Sequence, residues 1–445
     1  MTIAHVDRCS PTLRANPAAA PIAVVISRFP LLTETFILRE IIEMERQGQP
    51  VRLVPMLKMS PRVIHEEAKP WNLRALYTPY LSVEIAASNG RTLLRSPLRY
   101  LRLCFRLFFG TLLRPATFLK TFALFPKSVL IAEQLHREGI RHIHAHYATF
   151  PATIALIVAW LSDLTFSFTV HAHDIQVDRS LLRWKLREAR FVRSISEFNK
   201  RFLERMYPAE AAGKIEVIRV GVDLQTYEEC AARFANIPRE VPRVLCVAAH
   251  KPYKGLPVLV EACRILKNEG ICFRCQVIGD GPMRRQLERM IVDTGNENVI
   301  ALLGPKAQHE VARAMAESRF FVLPSIIAPD GQTEGIPVSL MEAMASGRAV
   351  VSTALSGIPE LVEHGVSGLL VPPGDPIALA GAMRHLFDHQ ELANAMGARG
   401  AKKVRNDFAI DRCVAQLLAR LRRENKRGSA LSDTAGQLEA AFTGV

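Results

Sequence analysis

Two glutamates stand eight positions apart in the stretch EGIPVSLMEAMASG, residues 334–347. Glu334 precedes a segment that reads as a helix, and Glu342 lies two turns along it. A lone glutamate on an amphipathic helix is usually just solvated, but the flanks here argue for more. Gly335 suits a close approach, Pro337 a first helical turn and Gly347 a C-terminal stop. Val338, Met341, Met344 and Ala345 recur at helical spacing, so the helix should bury a face. A buried helix that begins on a loop offers free backbone N–H groups and the positive end of its dipole. That combination binds anions, most often a phosphate.

Other candidates are histidines and cysteines. His144 and His146 alternate in HIHAHY and share a strand face, which admits a zinc reading but fits core or loop-bracing roles better. His171, His173 and Asp174 cluster after the run FSFTV. The eight cysteines form no framework, and the lone pair Cys272/Cys275 has no second pair with which to hold zinc. No metal site and no cofactor is expected. IGDGPMR, with Gly279 and Gly281 but Arg284 in the third place, is a broken dinucleotide fingerprint, and no phosphate-cradling GxxxxGK[ST] occurs.

The elements that must position these residues follow from patterning. At 445 residues, with 49% hydrophobic and 22% charged residues, two globular domains are expected. Short Val/Ile/Leu runs alternate with helical stretches, first over 21–235 and again over 243–408. Such runs read as buried parallel strands and imply two successive doubly wound α/β domains, with the ligand outside the carboxyl ends of the strands. Residues 1–20 read as a flexible extension without a signal-peptide core, 236–242 as a linker, 409–425 as a C-terminal helix and 426–445 as a flexible tail. The net charge of +14 raises nucleic acid as a partner, but no finger, RNP-type or basic-zipper pattern appears. Much of the excess is local: 91–127 holds eight Lys or Arg residues and no acidic one. There Ser96 and Pro97 read as a helix start and Gly110 as its stop, with Arg99, Arg102 and Arg106 on one stripe. These three are the expected contact with an anionic membrane; the plainer alternative is that they face water.

The segment EGIPVSLMEAMASGRAVVSTALSGIPELVEHGVSGLLVPPGDPIALAGAM resembles the donor-binding signature of family 4 glycosyltransferases, with Glu334 and Glu342 as its E-x7-E pair. SRFPLLTETFILRE, HIHAHYATFPATIA, FSFTVHAHDI and VGVDLQTY are similar to the exopolysaccharide branch that includes colanic-acid-type transferases. The resemblance covers roughly 21–425 and implies a GT-B fold, two Rossmann-like domains facing across a cleft. It also implies a retaining, metal-independent hexosyltransferase that uses a nucleotide diphosphate sugar, uridine being the expected base, and a lipid-linked glycan acceptor. The expected location is the cytoplasm, peripheral on the inner face of the plasma membrane.

Residue by residue, the resemblance places Glu334 by the reacting carbon of the sugar and Glu342 on the ribose hydroxyls. It places Gly335, Ile336 and Pro337 at the donor and Lys254 of AAHKPYKG on the diphosphate. Many members carry an arginine where this chain has Ala249, so His250 or Lys251 is a candidate second cation. His171 matches the active-site histidine; His146, His173 and Asp174 are further site candidates. Gly357 and Glu360 read as donor-side structure, and Thr33 as a helix cap or phosphate neighbour. The rival readings are a GT-B sugar-nucleotide epimerase and a non-catalytic sugar-nucleotide-binding partner of a polysaccharide assembly complex.

Overall fold

A computed structural model describes residues 20–30, 35–60, 66–234 and 240–425 of the chain. The expectations for the N-terminal extension to residue 19, for Thr33, for most of the linker and for the tail from 426 lie outside the described residues.

Twelve strands form two six-stranded sheets among the described residues. The first is ordered β2-β1-β3-β4-β5-β6, from β1 (Ile22–Phe29), β2 (Val51–Lys58), β3 (His142–His146), β4 (Thr165–Val170), β5 (Val192–Ser194) and β6 (Ile215–Val217). The second is ordered β12-β11-β10-β7-β8-β9, from β7 (Arg243–Val247), β8 (Arg274–Ile278), β9 (Ile300–Gly304), β10 (Phe320–Leu323), β11 (Val350–Thr353) and β12 (Gly368–Val371). The pairings β1–β2, β1–β3, β7–β8 and β7–β10 are all parallel. This is the doubly wound α/β architecture that the alternation implies. Strands β10 and β11 are buried along their whole length, because helices cover both faces of such a sheet. In the second sheet the strand order reverses between β7 and β10, the point at which doubly wound sheets bind ligands. In the first it reverses between β1 and β3.

The chain divides into two compact units. One comprises the described residues within Met1–Phe168, Arg187–Phe191 and Val414–Val445, the other Thr169–Leu186 and Val192–Cys413. A helix occupies 410–425.

Several local expectations need correction. Pro337 is the N-cap of the helix Val338–Ala345, not its first residue, because its ψ of 125° keeps it extended. Val338 is half-buried, and the core side of that helix is Leu340, Met341, Ala343, Met344 and Ala345. The helix does stop as Gly347 suggests: Gly347, at φ 69°, donates to the Met344 carbonyl and Arg348 to that of Ala343. Gly110 ends nothing, since Pro97–Thr111 is helical through it and the break comes at 112–114 before Pro115 starts the next helix. Cys272 lies exposed ahead of β8, while Cys275 is buried within it.

Candidate active site

The loop that follows β7 carries Lys254, and the loop that follows β10 carries Glu334. They meet at the strand-order reversal: Lys254 Nζ lies 2.5 Å from Glu334 Oε1, with both side chains largely buried. Burial alone would lower the Lys254 pKa, but the neighbouring carboxylate outweighs it and the group is raised. The lysine therefore stays a cation. The Tyr253 ring centroid lies 5.3 Å from the same Nζ, and burial raises the phenol's pKa. Thr333 Oγ1, next to Glu334, is buried without a hydrogen-bond partner. Sequence reading singled out neither Tyr253 nor Thr333, though both adjoin residues that it did.

Glycines set how closely these loops approach. Gly255, at φ 67°, caps the turn after Lys254, and a Cβ there would stand 1.8 Å from the Pro324 carbonyl oxygen. A Cβ on Gly335 would stand 2.4 Å from the main-chain oxygen of His171, so Glu334 and the His171 loop share one wall. A Cβ on Gly357 would stand 2.8 Å from Ile336 Cγ1 and 3.2 Å from the Gly335 carbonyl oxygen. Gly279 and Gly281, the remnants of the dinucleotide fingerprint, have a packing role: their α-carbons back onto the main chain of Ala248 and His250.

His171 follows β4 and is half-buried. Asp174 is buried and accepts the main-chain N–H of His171 at 2.9 Å and of Ala172 at 3.0 Å. Ala172 is held at φ 126°, a conformation that costs an alanine on the order of 1–3 kcal/mol and persists only when surroundings enforce it. Asp174 is thus a brace, and His173 beside it is exposed. Lys185 is buried close by, and burial pushes its pKa down to about 7.

Along the helix Val338–Ala345 the half-exposed positions are Val338, Ser339 and Glu342. They fall on one side at i, i+1 and i+4. At the N-terminal end of that helix the Val338 and Ser339 amides have no intrahelical carbonyl to bond, whereas the Leu340 amide bonds the Pro337 carbonyl. Val338, Ser339 and Glu342 thus form one half-exposed stripe that begins at the N-terminal end of the helix, where Gly335 is half-buried and Ile336 and Pro337 are buried.

The position where the resemblance expects an arginine holds Ala249, which is half-buried. His250 is fully buried, neither ring nitrogen meets a partner, and burial lowers its pKa, so it is neutral near pH 7. Lys251 is exposed.

His146 belongs to the other unit. Its Nε2 lies 3.3 Å from Glu40 Oε1, both side chains being buried. Glu40 sits on the helix Thr35–Arg46 after β1, so the pair marks the β1/β3 reversal of the first sheet. His144 Nδ1 and His142 Nε2 share the Ser167 hydroxyl, each at 2.8 Å, and His142 Nδ1 meets Thr165 Oγ1 at 2.7 Å. No group of His, Cys, Asp or Glu able to hold a metal ion occurs among the described residues.

The arginine stripe is divided. Arg99 makes an ion pair with Asp163 at 2.5 Å, Arg106 stacks on Trp160 with its guanidinium carbon 4.7 Å from the ring centroid, and Arg102 is exposed. Glu360 takes the main-chain N–H of Glu197 and Phe198 at 2.9 and 2.8 Å, capping the helix Glu197–Met206.

Two family models match: Glycosyltransferase Family 4 over residues 34–226 and Glycosyl transferases group 1 over residues 231–403. A Salmonella typhimurium protein provisionally named a colanic acid biosynthesis glycosyltransferase is 44% identical over 210 residues, 46% of this chain and 51% of that one. The amylovoran biosynthesis glycosyltransferase of Erwinia amylovora is 42% identical over 217 residues, 48% of this chain and 52% of that one. The chain thus spans about half the length of the curated relatives it matches. Among solved structures, a Rickettsia africae glycosyltransferase superposes with a TM-score of 0.66 at 17% identity, over 91% of this chain and 98% of that one. Anabaena HepE, solved with UDP, gives 0.64 at 18% identity, over 90% and 99%. These superpositions give the fold, GT-B. With matching models in succession over most of its length, the chain belongs to the family 4 glycosyltransferases.

Proposed function

We propose that this protein is a retaining hexosyltransferase that moves a sugar from a uridine diphosphate donor onto a lipid-linked intermediate of a surface polysaccharide. The observation that carries the reading is the buried Lys254–Glu334 pair beside the open first turn of the helix Val338–Ala345. A diphosphate placed at that turn meets main-chain N–H groups and competes for the lysine, which releases Glu334 to face the sugar. The relatives named for colanic acid and amylovoran biosynthesis and the UDP-bound neighbour support the polysaccharide and uridine parts of the reading.

In the reaction the bond between the anomeric carbon and the β-phosphate oxygen breaks. The acceptor hydroxyl oxygen bonds to the same face of the sugar, its proton passes to the departing phosphate oxygen, and the nucleoside diphosphate leaves. Glu334 stabilises the positive charge that develops at the anomeric carbon. Glu342 holds the ribose hydroxyls, Lys254 and the helix amides hold the diphosphate, and His171 lines the sugar side. Lys251, the exposed lysine of the loop, is the second cation.

The test is incubation with a panel of nucleotide sugars without acceptor. Slow release of UDP from one of them supports the reading. An interconverted nucleotide sugar would mark an epimerase, and binding without turnover of any donor, also after addition of lipid-linked acceptors, would mark a non-catalytic partner.

A further inference from the structure

Within the first unit the helix Pro97–Thr111 has two apolar faces, and only one is covered. Leu103, Leu107 and Thr111 are buried. Leu98, Leu101, Phe105, Phe108, Phe109 and Leu112 are exposed, with Leu98 at 77%, Phe105 at 63% and Phe109 at 57%. At 3.6 residues per turn these six fall within an arc of about 100°, on the side of the helix away from Leu103 and Leu107. Phe108 also stacks edge-on against Phe118 of the next helix, which extends the face. Ten of the twenty-one exposed large apolar side chains among the described residues lie between Leu93 and Leu119, so this is a concentration and not a scatter.

The charge carried by this segment has one sign, and Asp163, a carboxylate paired with the helix, is met by Arg99. Arg95, Arg102, Arg114 and Lys120 are exposed there, and no acidic residue occurs from 91 to 127. Arg99 and Arg106 do not reach outward, because Asp163 and Trp160 hold them against the unit. An exposed Leu/Phe face on a segment whose own charges are all cationic complements a surface with anionic headgroups over hydrocarbon.

We propose that the helix Pro97–Thr111 lies in the plane of an anionic bilayer and inserts Leu98, Leu101, Phe105, Phe109 and Leu112 to the headgroup–acyl boundary. The arginines flank this contact instead of making it. No helix among the described residues is long and apolar enough to cross a membrane, so the attachment is to one leaflet. The proposal gives the lipid-linked acceptor of the proposed function a location, but its test needs neither donor nor acceptor, so the two can fail separately.

The wild-type protein is sedimented with vesicles of phosphatidylcholine containing a quarter phosphatidylglycerol. It should bind, and Leu101→Asn/Phe105→Asn/Phe109→Asn should lower the bound-to-free ratio by at least about tenfold. Arg95→Gln/Arg102→Gln, or raised salt, should lower it only a few-fold. In a second measurement, brominated acyl chains should quench the emission added by Phe109→Trp. Absence of wild-type binding, unchanged binding of the triple variant, or an unquenched Trp at 109 would each overturn the proposal. A wild-type dimer that the triple variant converts to monomer, with no vesicle binding by either, would instead assign the face to a second copy of the chain.

Discussion

At the scale of the residue, Glu334 is neutralised by Lys254 in an ion pair while Glu342 is not part of that pair, and substitutions of the two glutamates have different expected outcomes. Glu334→Gln should lower turnover by about 100-fold or more with little change in donor affinity, because the charge acts on the transition state. Glu342→Gln should weaken donor binding by about 1–3 kcal/mol, the scale of a lost charged hydrogen bond, with turnover less affected. Initial-rate kinetics distinguish them, and equal effects of both on the Michaelis constant alone would refute the division. Lys254→Ala should reduce calorimetric affinity for UDP far more than for uridine. It should also lower the melting temperature, since it strands Glu334 without its cation, and Lys254→Met/Glu334→Gln should restore part of that loss.

At the scale of the element, two contacts fix the loops around the site. Gly335→Ala places a methyl 2.4 Å from the His171 oxygen, so the loop must shift. The expected result is a large loss of turnover with a smaller loss of thermal stability, read from kinetics and melting curves on the same preparation. Glu360→Gln should cost about 1 kcal/mol, because a charged acceptor leaves two amides at a helix N-terminus. Sequence singled out Glu334 and Glu342 from one local helix start and Lys254 through the family resemblance, and the structure brings Lys254 and Glu334 together. Glu360 as a cap was not legible in sequence, since its partners are 162 and 163 positions away. Nor was the Glu40–His146 pair. The arginine stripe shows the same limit differently. Spacing places Arg99, Arg102 and Arg106 together, but with leucine and phenylalanine on both sides of the helix it cannot say which side is covered. Asp163, 64 positions away, settles that.

At the scale of the molecule, the fold should respond to acid through His142. Burial, then Arg420 and Arg190, hold its pKa down to about 3 against an ordinary value near 6.5. Between those values the unfolded chain binds a proton that the folded chain refuses, so stability falls as pH falls. The full contribution is present above about 6.5 and is lost progressively toward 3. By pH 4.5 this one group should have removed about 2–3 kcal/mol, and His142→Gln should flatten the dependence of the urea midpoint on pH over that range. The doubly wound architecture was legible from the alternation of short apolar runs. The polar interior of β4 was not: Thr165, Ser167 and Thr169 look like surface positions until His142 and His144 are seen bonding two of their hydroxyls.

The compact unit that holds the candidate site is discontinuous, taking Thr169–Leu186 as well as Val192–Cys413. This bears on how donor preference can be exchanged between relatives. A chimera that transplants only 231–403, the span of the second family model, imports Gly335 and Glu360 but leaves behind the His171 carbonyl and the Glu197 and Phe198 amides on which they close. The seam then runs through the wall of the site. Crossover at 169, carrying the strand-end loop with the rest, keeps those contacts within one parent.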